Sequence, residues 1–425
     1  MSSCLRRWEG PELARLWLPW YRASRADGKA EVVPDRHRAL PVGGQLQQSH
    51  RSIHVRGLVV SGESSKDESA YTHRVMNLAR CLEERSIPCD FFYPGETPWL
   101  STWTTASLFM LGRLPMLRQY DFLYTGCEEA GQSLFFCRPF LKGPIIYDIH
   151  GDIEAQSALE REIASQGVRK KPALRVKIVS WMAMACADYV VTVSDLHTDA
   201  LIRRGVPPDR VGIIRNGVDL GLFGYQPMPS VPEFTFGYAG EFQGWQGIDN
   251  LIGAFEMVRD ESIRMLLVGF TPQYEHLKNR LADRFGNRVK LVDRTDRETL
   301  VRLLARTGVL IIPRIDHPAI RHAFPTKFAE YAATGRAIMV NDVDETAAFV
   351  RKYRCGFVSD CSPEAMAAVM EQAARTPVEE LTAMGRRARS MAQENFSWPI
   401  VGEAYADLVR EVVQRFDAKR ASSVR

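Results

Sequence analysis

Lys327 and Glu330 stand three residues apart in the stretch Ala323-Phe-Pro-Thr-Lys-Phe-Ala-Glu-Tyr-Ala-Ala-Thr-Gly335, which leads to the apolar run Ala337-Ile-Met-Val340. The pattern predicts a loop, a short helix and a buried strand. Thr326 is placed to cap the helix, and Gly335 to end it in the left-handed conformation that residues with a Cβ avoid. A helix N-terminus offers unpaired N–H groups, and a lysine in the first turn makes it an anion site. A carboxylate one turn later can accept hydrogen bonds from a vicinal diol. Phosphate plus diol describes a nucleoside diphosphate, the carrier of activated sugars. The plain alternative is a surface ion pair worth about 0.2–0.5 kcal/mol. Glu330 as a capping-box partner conflicts with a Thr326 cap, because the third helical residue is then Ala329.

His150 follows the apolar run Ile145-Ile-Tyr-Asp-Ile149. A residue just past the carboxyl end of a buried strand stands where α/β sheets bind ligands. Read alone, it is equally a satisfied structural histidine. Asn216-Gly217 reads first as a tight turn. Gly237 and Gly240 read as a strand end or as a loop that approaches a phosphate.

These groups need a scaffold, and the sequence describes one. Strands are expected at 52–60, from Phe91, and at 122–124, 145–147, 189–193 and 211–214, with helices between them, such as 173–187 and 199–204. Three prolines in Tyr225-Gln-Pro-Met-Pro-Ser-Val-Pro232 break the pattern and read as a linker. The alternation restarts with strands at 234–239, 265–268, 289–292, 309–312 and 337–340. Strands alternating with helices predict parallel sheets covered on both faces. The expected division is an extension over 1–50, a first domain over 51–224, a linker over 225–232, a second domain over 233–395, and a crossing helix and tail over 396–425. Two such domains share a cleft at the carboxyl ends of their strands.

The bulk properties exclude several classes. A net charge of +4 makes no demand for nucleic acid. The basic cluster Arg169-Lys-Lys171 with Arg175 and Lys177 reads as a solvated helix face or as a contact to anionic lipid. The eight cysteines form no C-x-x-C pair, and scattered thiols suit a reducing cytoplasm. No apolar run reaches the roughly 20 residues that span a bilayer. Leu13, Leu16, Trp17 and Trp20 form a helical stripe, read as a loosely ordered extension or as an interfacial helix. Trp99, Trp103, Phe109 and Leu111, with Arg113 and Arg118, read as a core helix or as a membrane face.

Several ordered segments over residues 53 to 415 resemble the retaining family-4 glycosyltransferases of the GT-B fold. They are Ile145–Asp152, Val191–Asp195, Val211–Asp219 with Phe223, Gly237–Gly240, and Phe324–Glu330 with Tyr331 and Gly335. The resemblance implies two Rossmann-like domains and transfer of a sugar from a nucleoside diphosphate sugar, with the anomeric configuration retained. It implies His150, Lys327 and Glu330 as catalytic groups. It places Gly62, Gly240, Gly269, Arg314, Arg321, His322 and Thr326 with them at the donor. It implies no metal or other cofactor, and a glycan, lipid-linked or small-molecule acceptor; the charge, the thiols and the basic and apolar clusters add the expectations of no nucleic acid and of a cytoplasmic or peripheral-membrane site of work. There are departures. His322 stands eight residues before Glu330, where many members carry a glutamate that touches the donor sugar. Glu241 and Gln246 stand where many carry an arginine and a lysine, so Arg314 and Arg321 are the cations expected to compensate. The alternatives are a nucleotide-sugar epimerase, recognised by conversion without acceptor, and a degenerate binding protein, excluded by turnover of any sugar nucleotide.

Overall fold

In a computed structural model of the chain, the described residues are 55–61, 69–93, 103–163, 173–228 and 234–423. Two six-stranded parallel sheets organise them. The first has strands β1 (Gly57–Val60), β2 (Cys89–Phe92), β3 (Phe122–Thr125), β4 (Ile145–Ile149), β5 (Tyr189–Thr192) and β6 (Val211–Ile213), in the order β2-β1-β3-β4-β5-β6. The second has β7 (Thr235–Ala239), β8 (Arg264–Phe270), β9 (Val289–Asp293), β10 (Val309–Ile312), β11 (Ala337–Asn341) and β12 (Gly356–Ser359), in the order β12-β11-β10-β7-β8-β9. The α/β architecture is the expected one. The sequence reading lacks β12, a four-residue edge strand that alternates between buried and half-buried.

Parallel strands buried on both faces become continuous apolar runs, and β4 and β10 are buried along their whole length. On one face of the first sheet, Val59, Phe122, Tyr124 and Ile146 pack with the helix Ala70–Glu83. The last helix, Trp398–Ser423, joins this same core through Tyr405, Val409 and Val413. The chain therefore leaves the second domain and returns to the first, as expected. On the opposite face, Leu58, Val60, Leu123 and Ile145 pack with the helices Trp103–Gly112, Glu128–Ser133 and Ala173–Cys186.

The strand order reverses between β1 and β3 and between β7 and β10. Such reversals open crevices at the carboxyl ends of strands. At the second lie Gly240 and the Pro313-Arg314 backbone, which the loop approaches at Gly247. At the first lies Ser61; Gly62 falls outside the described residues, as do residues 1–54, Trp99, Arg169–Lys171 and 229–233 of the linker. Of the proposed membrane face, Phe109 and Leu111 pack inward, and Phe109 stacks on Phe92 with centroids 6.1 Å apart. Among the described side chains of that helix, Leu108 is exposed.

Candidate functional site

The helix Thr326–Ala333 begins directly after Pro325, whose extended backbone (φ −70°, ψ 126°) makes it the cap. This corrects the expected Thr326 cap. Proline's fixed φ and extended ψ suit the position before the first turn, and its ring carries no acceptor, so the helix starts at the next residue without a side-chain cap. Gly335 closes the helix as expected, at φ +73°, with its N–H donating to the Ala332 carbonyl at 3.0 Å.

Lys327 leaves this helix toward the end of β7. Its Nζ donates to the Tyr238 hydroxyl at 3.1 Å and to Gln246 Oε1 at 3.2 Å, and lies 4.3 Å from the Tyr238 ring centroid. Tyr238 donates onward to the Glu241 carbonyl at 2.5 Å. Gly240, at φ +146°, passes so near that a Cβ would lie 2.6 Å from Lys327 Nζ. Gly269, at φ +119°, abuts the Gly240 carbonyl, and a Cβ there would strike it. The two glycines leave bare backbone beside the ammonium group. Burial, and then the field of Arg314, push Lys327 down to about 7, while Glu330 and Glu241 pull part of the way back. An arriving anion would restore the charge that these surroundings suppress.

Thr326 and Glu330, one turn apart, line a cavity of about 220 Å³. His73, Arg74, Asn77 and Asn216 of the first domain form its other wall. Arg297 approaches Glu330 Oε1 at 3.4 Å. Burial pushes the Glu330 carboxyl up, and Arg297 and Lys327 oppose that shift. A wider depression of about 620 Å³, at the edge of β12, takes nothing from the first domain.

His150 stands past the end of β4. Its Nε2 lies 3.4 Å from Asp148, and its ring leans on Tyr71 with centroids 5.3 Å apart. Asp148 is fully buried and accepts from Arg74 Nε at 2.8 Å, Arg74 Nη2 at 3.1 Å and the Tyr124 hydroxyl at 2.6 Å. Burial alone would raise this carboxyl; Arg74 and His150 outweigh it and hold it well below the usual range. Arg74 also donates to Asn216 Oδ1 at 3.2 Å. It thereby ties the anchor of His150 to the cavity wall opposite Glu330. His150 and Lys327 have no direct contact.

His322 is a domain contact. Its ring stacks on His197 at 5.3 Å, its Nδ1 faces Asp152 at 3.8 Å, and its carbonyl accepts from Ser194 Oγ at 2.8 Å. Burial would raise the Asp152 carboxyl, but His322 and Arg204 hold it below the usual range. Burial and then His322 push His197 down to about 4. The two expected compensating cations are engaged. Arg314 is buried and paired with Asp344 at 3.1 Å, and Arg321 is paired with both oxygens of Asp316. Arg314 reaches the site through its field on Lys327 and Tyr238. Asn216-Gly217 braces the cavity wall that it helps to line: Asn216 donates to the Phe324 carbonyl at 2.9 Å, and Gly217 lies against the Trp398 ring.

Sequence reasoning missed Tyr238, Asp148, Arg74 and Arg297. Asp148 alone carried a signal, as a carboxylate inside an apolar strand two residues before His150, and so on the same side of the sheet. Among the described residues, no three His, Cys, Asp or Glu side chains cluster to hold a metal ion. No described helix is long and apolar enough to cross a membrane.

The family model for Glycosyltransferase Family 4 matches residues 72–222, and that for Glycosyl transferases group 1 matches residues 233–376. No curated protein matches the sequence. Among solved structures, sucrose-phosphate synthase from Thermosynechococcus elongatus is 18% identical, with a TM-score of 0.68 over 85% of this chain and 100% of that one. Anabaena HepE in complex with UDP and glucose is 17% identical, with a TM-score of 0.62 over 83% and 99%. The lipopolysaccharide outer core galactosyltransferase WaaB is 13% identical, with a TM-score of 0.61 over 84% and 100%. At these identities the likeness is one of fold.

Proposed function

Matched in both halves by glycosyltransferase family models, this chain is a glycosyltransferase of the GT-B fold, and we propose that it moves a sugar from a nucleoside diphosphate to a hydroxyl acceptor with retention of the anomeric configuration. The observation that carries the proposal is Lys327, aligned by Tyr238 and Gln246 against the bare backbone of Gly240 and Gly269. One turn further on, Glu330 faces a cavity closed by the first domain. The bound UDP and UDP-glucose of the Anabaena structures support a nucleotide-sugar donor.

The difficult event is departure of the diphosphate from C1, which leaves an oxocarbenium-like centre. A leaving group that gains negative charge is stabilised best by donors already in place. Lys327 and the first-turn amides beside Thr326 supply them, and the glycines let the phosphate oxygens approach the backbone. Glu330 accepts from the ribose hydroxyls, with Arg297 holding its carboxylate. His150, oriented by Asp148, donates to the sugar or to the reacting face. In this reading protein groups carry the charge without a metal ion, so excess chelator leaves turnover unchanged. The acceptor is a glycan, a lipid-linked sugar or a small molecule. A cytoplasmic site of work is supported by the described cysteines, which are all free thiols.

Thermal shift against UDP, GDP, ADP and dTDP tests the donor. A nucleotide at a hundred times its dissociation constant adds about 2.7 kcal/mol to stability. Silence with all four sinks the reading. The anomeric signal of the product by NMR then decides retention. Conversion of the sugar nucleotide without an acceptor would establish the epimerase reading instead.

A further inference from the structure

The outer face of the first domain segregates apolar and basic groups. The helix Ala173–Cys186 buries Val176, Val179 and Met182 and exposes Leu174, Ile178 and Trp181, which fall on one stripe by their four- and three-residue spacing. Leu174 is 69% exposed. The helix Glu128–Ser133 packs beside it so closely that a Cβ on Gly131 would lie 2.8 Å from that of Ala183. Just beyond, Phe136 and Phe140 are exposed, and Phe135 bridges Phe136 to Trp181 with ring centroids 5.3 and 5.4 Å apart. The helix Trp103–Gly112 joins on the far side, where Ser107 Oγ donates to the Gln132 carbonyl at 3.3 Å, and it exposes Leu108. All three helices cover the same face of the first sheet, so their outer surfaces point one way.

Charge identifies what covers this face. Residues 103–119, 134–142 and 173–187 contain Arg113, Arg118, Arg138, Lys142, Arg175 and Lys177, and no aspartate or glutamate. Arg138 is paired with Asp188. The exposed Arg118, Lys142, Arg175 and Lys177 flank the apolar groups. The acidic groups that border these segments are Asp121, Glu128 and Glu129 at the start of the helix between them, and Asp188, the partner of Arg138. Exposed apolar side chains bordered by lysine and arginine suit an interface of acyl chains beneath anionic headgroups. In a parallel sheet, connecting helices run opposite to the strands. The helix that leads into β5 therefore begins at the carboxyl edge, the edge where His150 stands.

We propose that this three-helix face docks the protein on an anionic lipid surface, with the carboxyl edge of the first sheet, where His150 stands, at the border of the contact. The occupant is a lipid leaflet, so the acceptor class this reading favours is one held at a membrane. That last step rests on the transferase reading; the docking itself does not.

The test is sedimentation of the full chain with vesicles of pure phosphatidylcholine and with vesicles containing phosphatidylglycerol. Binding should require the anionic lipid and weaken with salt. Each basic residue near such a surface contributes about a fivefold gain in binding. The double variant Arg175→Glu/Lys177→Glu should therefore lose tenfold or more, and Leu174→Glu/Ile178→Glu should lose a similar amount. All of these positions are exposed, and unchanged melting and unchanged nucleotide thermal shift in the variants confirm that the fold and the donor site are intact. Equal binding to both kinds of vesicle, unaltered binding by the variants, or a wild-type dimer that the variants convert to monomer would each overturn the proposal. Failure of nucleotide binding would remove the transferase reading and leave the docking result standing.

Discussion

At the residue scale, the proposed chemistry depends on two groups that their surroundings hold away from their usual states. Lys327, pushed down to about 7 by burial and then by Arg314, is roughly half protonated in the empty site at neutral pH. An unfolded lysine titrates near 10.4, so between about pH 7 and 10.4 the unfolded chain binds the extra proton, and stability rises with pH across that window. A bound diphosphate reverses the preference. Nucleotide binding above pH 7 should therefore take up a proton, and affinity should fall by up to about tenfold per pH unit. Calorimetry in buffers of different ionisation enthalpy reads the uptake, which Lys327→Ala should abolish. The same variant should lower kcat by about a hundred- to a thousandfold, as loss of one preorganised donor does. Near-native turnover in Lys327→Ala would remove the lysine from the mechanism. Glu330 makes a separate claim. If it accepts from the ribose diol, the wild type should bind UDP more tightly than 2′-deoxy-UDP, and Glu330→Ala should equalise the two. A preference that survives the substitution places the diol elsewhere.

At the element scale, the site is the junction of two strand ends and one helix start. Gly240 and Gly269 both have positive φ, and each sits where a Cβ would meet another part of the cradle. Gly269→Ala should cost about 1–3 kcal/mol of stability through backbone strain. It should also abolish the nucleotide thermal shift, because the methyl group displaces the Gly240 carbonyl and with it the bare backbone of the cradle. A drop in melting temperature with the nucleotide shift intact would make Gly269 structural only. Elements of this kind were legible when their signal was local. Lys327 and Glu330 share one helix, and buried parallel strands such as β10 advertise themselves as unbroken apolar runs. Strand β12 did not, because four residues at a sheet edge carry only half a pattern. The Thr326 cap was misread because a proline can occupy the cap position without any side-chain bond, leaving the next residue as the first of the helix. Tyr238 and Arg74 were invisible for another reason. An aromatic residue in a strand and an arginine in a helix look ordinary until the fold places them against Lys327 and Asp148.

At the scale of the whole molecule, the proposed activity requires the two domains to meet, and polar groups mark where they do. Arg215 of the first domain binds Asp195 of its own domain at 2.7 Å and Glu345 of the second, and its guanidinium stands 5.3 Å from the Phe349 ring. Glu345 also accepts from the Asp195 backbone N–H at 3.1 Å. Burial and then Asp195 push the Glu345 carboxyl up to about 7, against the pull of Arg215. An unfolded glutamate titrates near 4.3, so between about pH 4.3 and 7 the closed form binds the extra proton, and this contact weakens as pH rises through that window. His197, pushed down to about 4, acts in the opposite sense: its contribution grows as pH rises from about 4 to 6.5. Overall pH dependence would mix the two, so a substitution separates them better. Arg215→Ala leaves two carboxylates facing each other without their cation, at a cost of roughly 1–3 kcal/mol, between the values for exposed and buried pairs. That cost falls on the closed arrangement alone, because each domain keeps its own core. The expected result is a larger radius of gyration in solution scattering at pH 8 and a smaller one at pH 5, where Glu345 is protonated. Adding Glu345→Gln should restore the compact form at pH 8, since the repulsion then has no second partner. Identical scattering for Arg215→Ala and wild type at both pH values would show that the apolar contact of Leu159 with Ile320 and Val343 holds the domains together without the ion pairs.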